Sequence, residues 1–240
     1  MKRNLFVLCL FISVSASLFA QKTYDAANAE KRNVSNFHGI EVSTGIQLVL
    51  TEGNTEEVAV SAATTEYRDK IVTKVENGIL KIYFENKNVL SINNRKEKHE
   101  LKAWVSYKTL DRLDANTGAV VTIEGTLKSA TLKMKVNTGA IVNGKVDLAD
   151  LDVNQDTGSI VTLSGNAGKV EVDGDTGSIF KGKDLTSNSC SATASTGSQV
   201  FITVQKELNV KANTGGMVKY AGTGNINDVK TNTGGSVSRI

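Results

Sequence analysis

The stretch DTGSIVTLSG, residues 156–165, returns after a short interval as DTGSIFKGKD, residues 175–184. Its Thr-Gly pair recurs at Thr117, Thr138, Thr157, Thr176, Thr196, Thr214 and Thr233, at intervals of 21, 19, 19, 20, 18 and 19 residues. A period of this length marks a solenoid, in which each repeat closes its core by stacking on its neighbours. Before each Thr stands Asn116, Asn137, Asp156, Asp175, Ser195, Asn213 or Asn232, a short side chain able to hydrogen-bond a nearby backbone N–H. Gly supplies a φ that a β-carbon disfavours. The triplet reads as a corner.

Around each corner the residues sort by parity, as strands require. Four residues after the Thr come Val121, Val142, Val161, Phe180, Val200, Val218 and Val237, and four before it Leu113, Met134, Val153, Val172, Ala192, Val210 and Val229. Both sets are apolar and point inward. Two residues after the Thr the side chain is always small: Ala119, Ala140, Ser159, Ser178, Ser198, Gly216, Gly235. A rung of ~19 residues at ~3.3 Å each traces a loop of about 60 Å, and successive rungs stack as parallel strands. The fold class is all-β: a single-chain parallel β-helix over residues 116–240, with right-handed winding favoured because parallel crossovers are right-handed. The absence of proline from all 240 residues agrees, since proline cannot donate to a ladder.

The ends and composition narrow the function. Residues 1–20 read as a signal peptide, with Lys2 and Arg3 before the apolar run Leu5 to Val14 and the small Ala20 at its end. The run is short for a membrane span, so export to the periplasm, outer surface or medium is expected, with no span once the leader is removed. Loss of Lys2 and Arg3 takes the formal charge from +3 to +1, which gives no electrostatic case for nucleic acid. Cys190 is then the one cysteine left; no intrachain disulfide can form, and its place among Leu151 and Val170 of neighbouring rungs makes it a core residue.

Residues 21–36 read as a flexible linker and 37–115 as a β-rich segment outside the corner period, capping the solenoid. GIEVSTGIQLVLTEG, residues 39–53, forms two strands around Thr44-Gly45, and EEVAVSA a third. In IVTKVENGILKIYFEN the Asn77-Gly78 turn makes a hairpin. Asn93 to Glu100 reads as a solvated loop, LKAWVSY as a strand, and Trp104 is expected where this segment meets the solenoid.

From Phe37 onward the chain resembles the putative auto-transporter adhesin, head GIN domain proteins, exported by Bacteroidetes-type bacteria. The resemblance is carried by FHGIEVSTGIQLVLTEG, VENGILKIYFEN and the NTGAVV and DTGSIV repeats. The family's Gly-Ile-Asn falls on Gly45, Ile46 and Gln47, with Gln in place of Asn. The resemblance implies a β-helical exported protein and adhesion by analogy, and no reaction.

Catalytic signals are sparse. His38 and His99 are the only histidines, and no nucleophile elbow, zinc spacing or phosphate loop is present. Ser187, Ser189, Ser191 and Thr193 read as outward hydroxyls on a solvated strand. No catalytic residue, cofactor or metal is assigned, although Asp156 stacked on Asp175 leaves solvation or a bridging cation open. A polysaccharide lyase or glycosidase is the alternative, with Asp156, Asp173 and Asp175 as its carboxylates. The preferred reading is a noncatalytic scaffold that displays rigid faces to a protein, a glycan or itself, a purely structural envelope role being the other possibility. The candidate interface lies three residues after the Thr: Val120, Ile141, Ile160, Ile179, then Gln199, Met217 and Ser236. By parity it faces outward, yet four consecutive rungs carry branched apolar side chains; it is either covered by the same chain or a contact surface, including one for a homo-oligomer.

Overall fold

The computed structural model describes residues 28–85 and 99–240. The leader, the linker up to residue 27 and most of the polar stretch 93–100 lie outside them. The described chain is strand almost throughout, joined in a 16-stranded sheet that winds around one core. Its backbone consists of β9 (Val120–Val136), β10 (Ile141–Gln155), β11 (Ile160–Gly174), β12 (Ile179–Ala194) and β13 (Gln199–Ala212). Each follows most of one rung. They stack in parallel register, with Val121, Val142, Val161, Phe180 and Val200 in one column. Three shorter strands finish the coil: β14 (Met217–Ala221), β15 (Asn225–Thr231) and β16 (Ser236–Arg239).

The corners are tight turns in which both central residues have positive φ. Thr117, Thr138, Thr157, Thr176, Thr196, Thr214 and Thr233 lie between 43° and 51°, and each following Gly between 69° and 76°. This is the left-handed turn that two-residue connections favour. It is closed by an N–H from the fourth residue to the first, as from Ala119 to Asn116 O at 3.2 Å. Sequence reading gave positive φ to Gly alone; the β-branched Thr adopts it too, an uncommon conformation for such a residue. The compensation is visible between rungs. Gly118 N donates to Thr138 O (3.0 Å), Gly139 N to Thr157 O (2.9 Å) and Gly158 N to Thr176 O (3.0 Å), so the ladder runs unbroken through the corners. Side chains add to it where Asn137 Nδ2 donates to Asn116 Oδ1 at 3.2 Å.

The column of corners starts earlier than the repeat period indicates. Thr44 (φ 63°) and Gly45 (φ 72°) form the same turn, and Gly45 N donates to Thr117 O at 3.0 Å. On either side, β2 (Gly39–Val42) runs parallel to β8 (Arg112–Ala115) and β3 (Gln47–Glu52) parallel to β9. Residues 37–115 therefore do not stand outside the corner column, and residue 116 marks no break in the sheet. The period is hidden because 73 residues separate Thr44 from Thr117. In that interval the chain makes β4 (Glu57–Ser61), α1 (Thr65–Asp69), β5 (Ile71–Glu76), β6 (Ile79–Phe84) and β7 (Lys102–Tyr107). There β6 and β7 lie parallel to β2 and β3 as one further layer, and antiparallel β4 and β5 cover their outer edges. The expected hairpin turn is present, with Asn77 at φ 52° and Gly78 at 75°. Last comes β1 (Glu30–Arg32), antiparallel to β4.

Inside, the columns read from the sequence are buried from Val121 to Val218 and from Leu113 to Val210, and Cys190 packs between Val170 and Leu208 at 2% exposure. One expectation is corrected. Ser187 does not face solvent: it is fully buried and donates to Thr203 O at 3.0 Å. Leu185 and Ser187 point inward, but so do Cys190 and Ala192, so alternation shifts phase between residues 187 and 190 as the rung bends. Space is also traded between neighbouring positions. Phe180, the one aromatic in its column, lies over Gly182, where an added Cβ would meet the ring at 2.4 Å from Cε1. Gly182→Ala should therefore cost about 1–3 kcal/mol by overpacking. Chemical denaturation should show that loss partly recovered in the Gly182→Ala, Phe180→Leu double variant, since touching residues do not contribute additively.

Candidate functional site

The outward column three residues after each Thr is continuous. Gln47, Val120, Ile141, Ile160, Ile179, Gln199, Met217 and Ser236 stand in register on successive strands. From Val120 to Met217 each is half-buried, its flanks covered by the residues above and below and its tip left to solvent. In the sheet order the N-terminal strands extend the sheet edgewise from this column. Two residues further along, a second column runs Val49, Thr122, Asn143, Thr162, Lys181, Phe201, Lys219 and Ser238. Trp104 stands beside Val49 and opposite Ala59, half-buried on the outer side of β7. The indole thus continues the second column one strand beyond Val49, while the isoleucine column runs on through Gln47 to Lys102. Such a face can contact an extended surface.

The three Gly-Ile-Gln positions sit at the foot of this face. Gly45 turns the first corner, Ile46 is fully buried with its carbonyl accepting from Val120 N at 3.0 Å, and Gln47 is exposed at the end of the apolar column. Ile46 fills the position that later rungs give to Ala, Ser or Gly, beside the layer formed by β6 and β7.

The titratable side chains are occupied by structural work. His38 Nδ1 pairs with Asp111 Oδ1 at 2.7 Å, and the ring lies against Gly78, which clamps the hairpin turn. The His99 ring stacks on Tyr67 at 4.3 Å and Phe84 at 5.3 Å between centroids. Burial pushes the Cys190 thiol up to about 12, far from a reactive thiolate. Asp156 and Asp175 each bend back onto their own turn, accepting from Thr157 N at 2.6 Å and Thr176 N at 2.7 Å. That geometry meets the stacked-charge problem with local hydrogen bonds. Among the described residues no three His, Cys, Asp or Glu side chains gather in a metal-binding group. A shallow open depression of about 560 Å³ at the ends of β3 and β7 is lined by Glu52, Gly53, Asn54 and Lys108. It brings one carboxylate, where glycoside hydrolysis ordinarily uses two.

A family model described as putative auto-transporter adhesin, head GIN domain, matches residues 36–224. Among solved structures the chain is similar to a putative adhesin from Bacteroides fragilis, at 16% identity and TM-score 0.76 over 88% of this chain and 96% of that one. It is also similar to a putative adhesin from Parabacteroides merdae (15% identity, TM-score 0.67, 89% and 95% covered). A third, described as a putative lipid binding protein from Parabacteroides distasonis, has 16% identity and TM-score 0.61, with 89% and 97% covered. No curated protein matches. These likenesses establish the fold, and their differing names illustrate that one scaffold does not dictate one ligand. Among the described residues no helix is long and apolar enough to cross a membrane.

The corner carboxylates give a pH signature. The Thr196 hydroxyl, with the Thr176 N–H, holds Asp175 below the usual carboxylate range. A depressed folded-state pKa contributes stability that is present above the unfolded value, about 3.9, and is lost as pH falls through the folded one. Asp175→Asn should leave a thermal midpoint that declines less steeply than wild type below about pH 4, which a scanning-fluorimetry pH series reads directly.

Proposed function

The chain belongs to the putative auto-transporter adhesin, head GIN domain family, and from that premise we propose that it is an exported, noncatalytic binding scaffold of the cell envelope. Its partner is a protein or glycan surface laid against the outer sheet face. One observation carries the reading: the unbroken column Val120, Ile141, Ile160 and Ile179, held outward on a parallel ladder. Monomeric proteins rarely keep a contiguous apolar strip without a use for it. Parallel rungs bonded on both sides resist deformation, so the face loses little conformational freedom when a partner covers it. Threonine, asparagine and lysine in the neighbouring column supply the polar contacts that fix orientation. The leader-like residues 1–20 support export.

The test is a binding screen of residues 21–240 against immobilised glycans and extracellular proteins, with Ile160→Lys alongside. A lysine at this half-exposed position can lift its charge into solvent, so the variant should melt as wild type does. Losing the buried isoleucine, worth about 1.5–3 kcal/mol, should weaken binding about tenfold or more. Binding that ignores Ile160→Lys would move the site elsewhere. Release of new reducing ends or unsaturated uronates from the same glycans would make the protein an enzyme.

A further inference from the structure

Among the described residues the large hydrophobic side chains left exposed are Ile226 (41%), Val229 (45%) and Ile240 (54%). All three belong to one end of the solenoid. There β15 is exposed at every residue and pairs on one side only, with β13, while β16 pairs only with β14. The register explains the exposure. Ile226 stands over buried Leu208, Val229 over buried Val210, and Val237 over buried Val218, so the core columns run out through this end. It combines an apolar cross-section with an open row of backbone donors and acceptors, a template for another strand.

The opposite end is finished differently. On one side of that end the last strand is β5, which pairs only with β6 and carries Lys74 and Glu76 in an ion pair at 2.7 Å; on the other it is β1, whose three residues, Glu30, Lys31 and Arg32, are all charged. They are tied down by Arg68 Nε to Glu30 Oε2 at 2.9 Å and Lys31 Nζ to Glu57 Oε2 at 3.8 Å. A short charged edge is how proteins discourage strand addition. Head-to-tail stacking is therefore disfavoured, and the surface that best complements the open end is the same end of a second copy.

We infer that two copies of this chain join tail to tail about a two-fold axis, with β15 antiparallel to its counterpart and Val229 facing Val229 of the partner subunit. The sequence Asp228-Val229-Lys230 carries the alignment. Asp228 and Lys230 share the outward face, their side chains 3.0 Å apart. Antiparallel pairing centred on Val229 sets Asp228 opposite Lys230 of the partner subunit, and the reverse, so two opposite-charge cross-strand pairs form at once. Elementary geometry favours the same axis. The end of a coil is a ramp, and a two-fold axis through the middle of its last turn superposes the ramp on its copy with a constant gap. Ile226 and Val229 would then be covered, and an isologous contact closes at two copies without propagating into a fibre.

The test is solution mass by light scattering across a concentration series for residues 21–240, with circular dichroism and melting curves for every variant. Wild type should reach twice the monomer mass. Asp228→Lys and Lys230→Asp should each be monomeric and folded, since each sets like charges opposite one another. An equimolar mixture of those two variants should recover the dimer mass, because Lys then faces Asp at both pairs. Val229→Asp should be monomeric alone and in every mixture, whereas Ile160→Lys should dimerise as wild type does, which separates this contact from the outer-face site. A wild type that stays monomeric at all concentrations overturns the inference. So does a mixture that stays monomeric, or a dimer lost in Ile160→Lys and retained in Val229→Asp.

Discussion

Every rung is positioned by a hydrogen bond at its corner, from the glycine N–H of one turn to the threonine carbonyl of the next. Without it, stacked strands could slip past one another at the bends, where side chains diverge and packing is least selective. With it, the corner peptides continue the ladder of the flat faces, and register passes from one face to the next. The cost is a β-branched residue at positive φ, roughly 1–3 kcal/mol for a sparsely populated backbone conformation. A second contact favours threonine at that place: the Thr196 hydroxyl reaches back to the Asp175 carboxylate of the previous rung. Because the corner repeats, each position in the rung becomes a column, and the chemistry of a column is set many times over.

This explains what could be read from the sequence. Period, inward columns, the burial of Cys190 and the half-exposed isoleucine column all follow from counting residues from Thr-Gly, which works wherever successive corners are about nineteen residues apart. Thr44 defeats the count, because strands, a helix and a hairpin intervene before the chain returns to the next corner. Its identity lies in hydrogen bonding to Thr117, which sequence spacing does not carry. Ser187 defeats the parity rule for a related reason. Alternation holds along a straight strand, and the bend after Ser187 resets it, so a serine assigned to solvent by counting lies in the core. The threonine φ was illegible for lack of precedent: composition points to glycine at such angles, and only the stacked geometry makes threonine acceptable.

The histidines show how context settles a residue that composition leaves open. A His–Asp pair at 2.7 Å is a common component of catalytic machinery, but here the ring rests against the Gly78 turn and its partner Asp111 precedes β8. Asp111 N also donates to His38 O at 3.0 Å, so the two segments are joined by backbone as well as side chain. The pair joins the hairpin to the strand that leads into the first full rung. His99 is likewise spent on aromatic packing against Tyr67 and Phe84. The His38–Asp111 pair therefore fastens the hairpin to β8, while His99 packs within the N-terminal layer itself.

A column of isoleucines on the outside of a soluble sheet raises the question of how it is tolerated. In a parallel ladder identical residues sit about 4.8 Å apart, close enough for each side chain to shield the flanks of the next. Most of the apolar area of Ile141 and Ile160 is buried between neighbours in the same chain, and only a narrow ridge faces water. Stacking thus lowers the solubility penalty of each residue while aligning the exposed tips in a straight line. The same arrangement that makes the column harmless to the monomer makes it a regular contact surface, because a partner meets a fixed row of methyl groups and not a set of independently moving side chains. Stability and display thus rest on one ladder, which sets the register of the buried columns and of the exposed row alike.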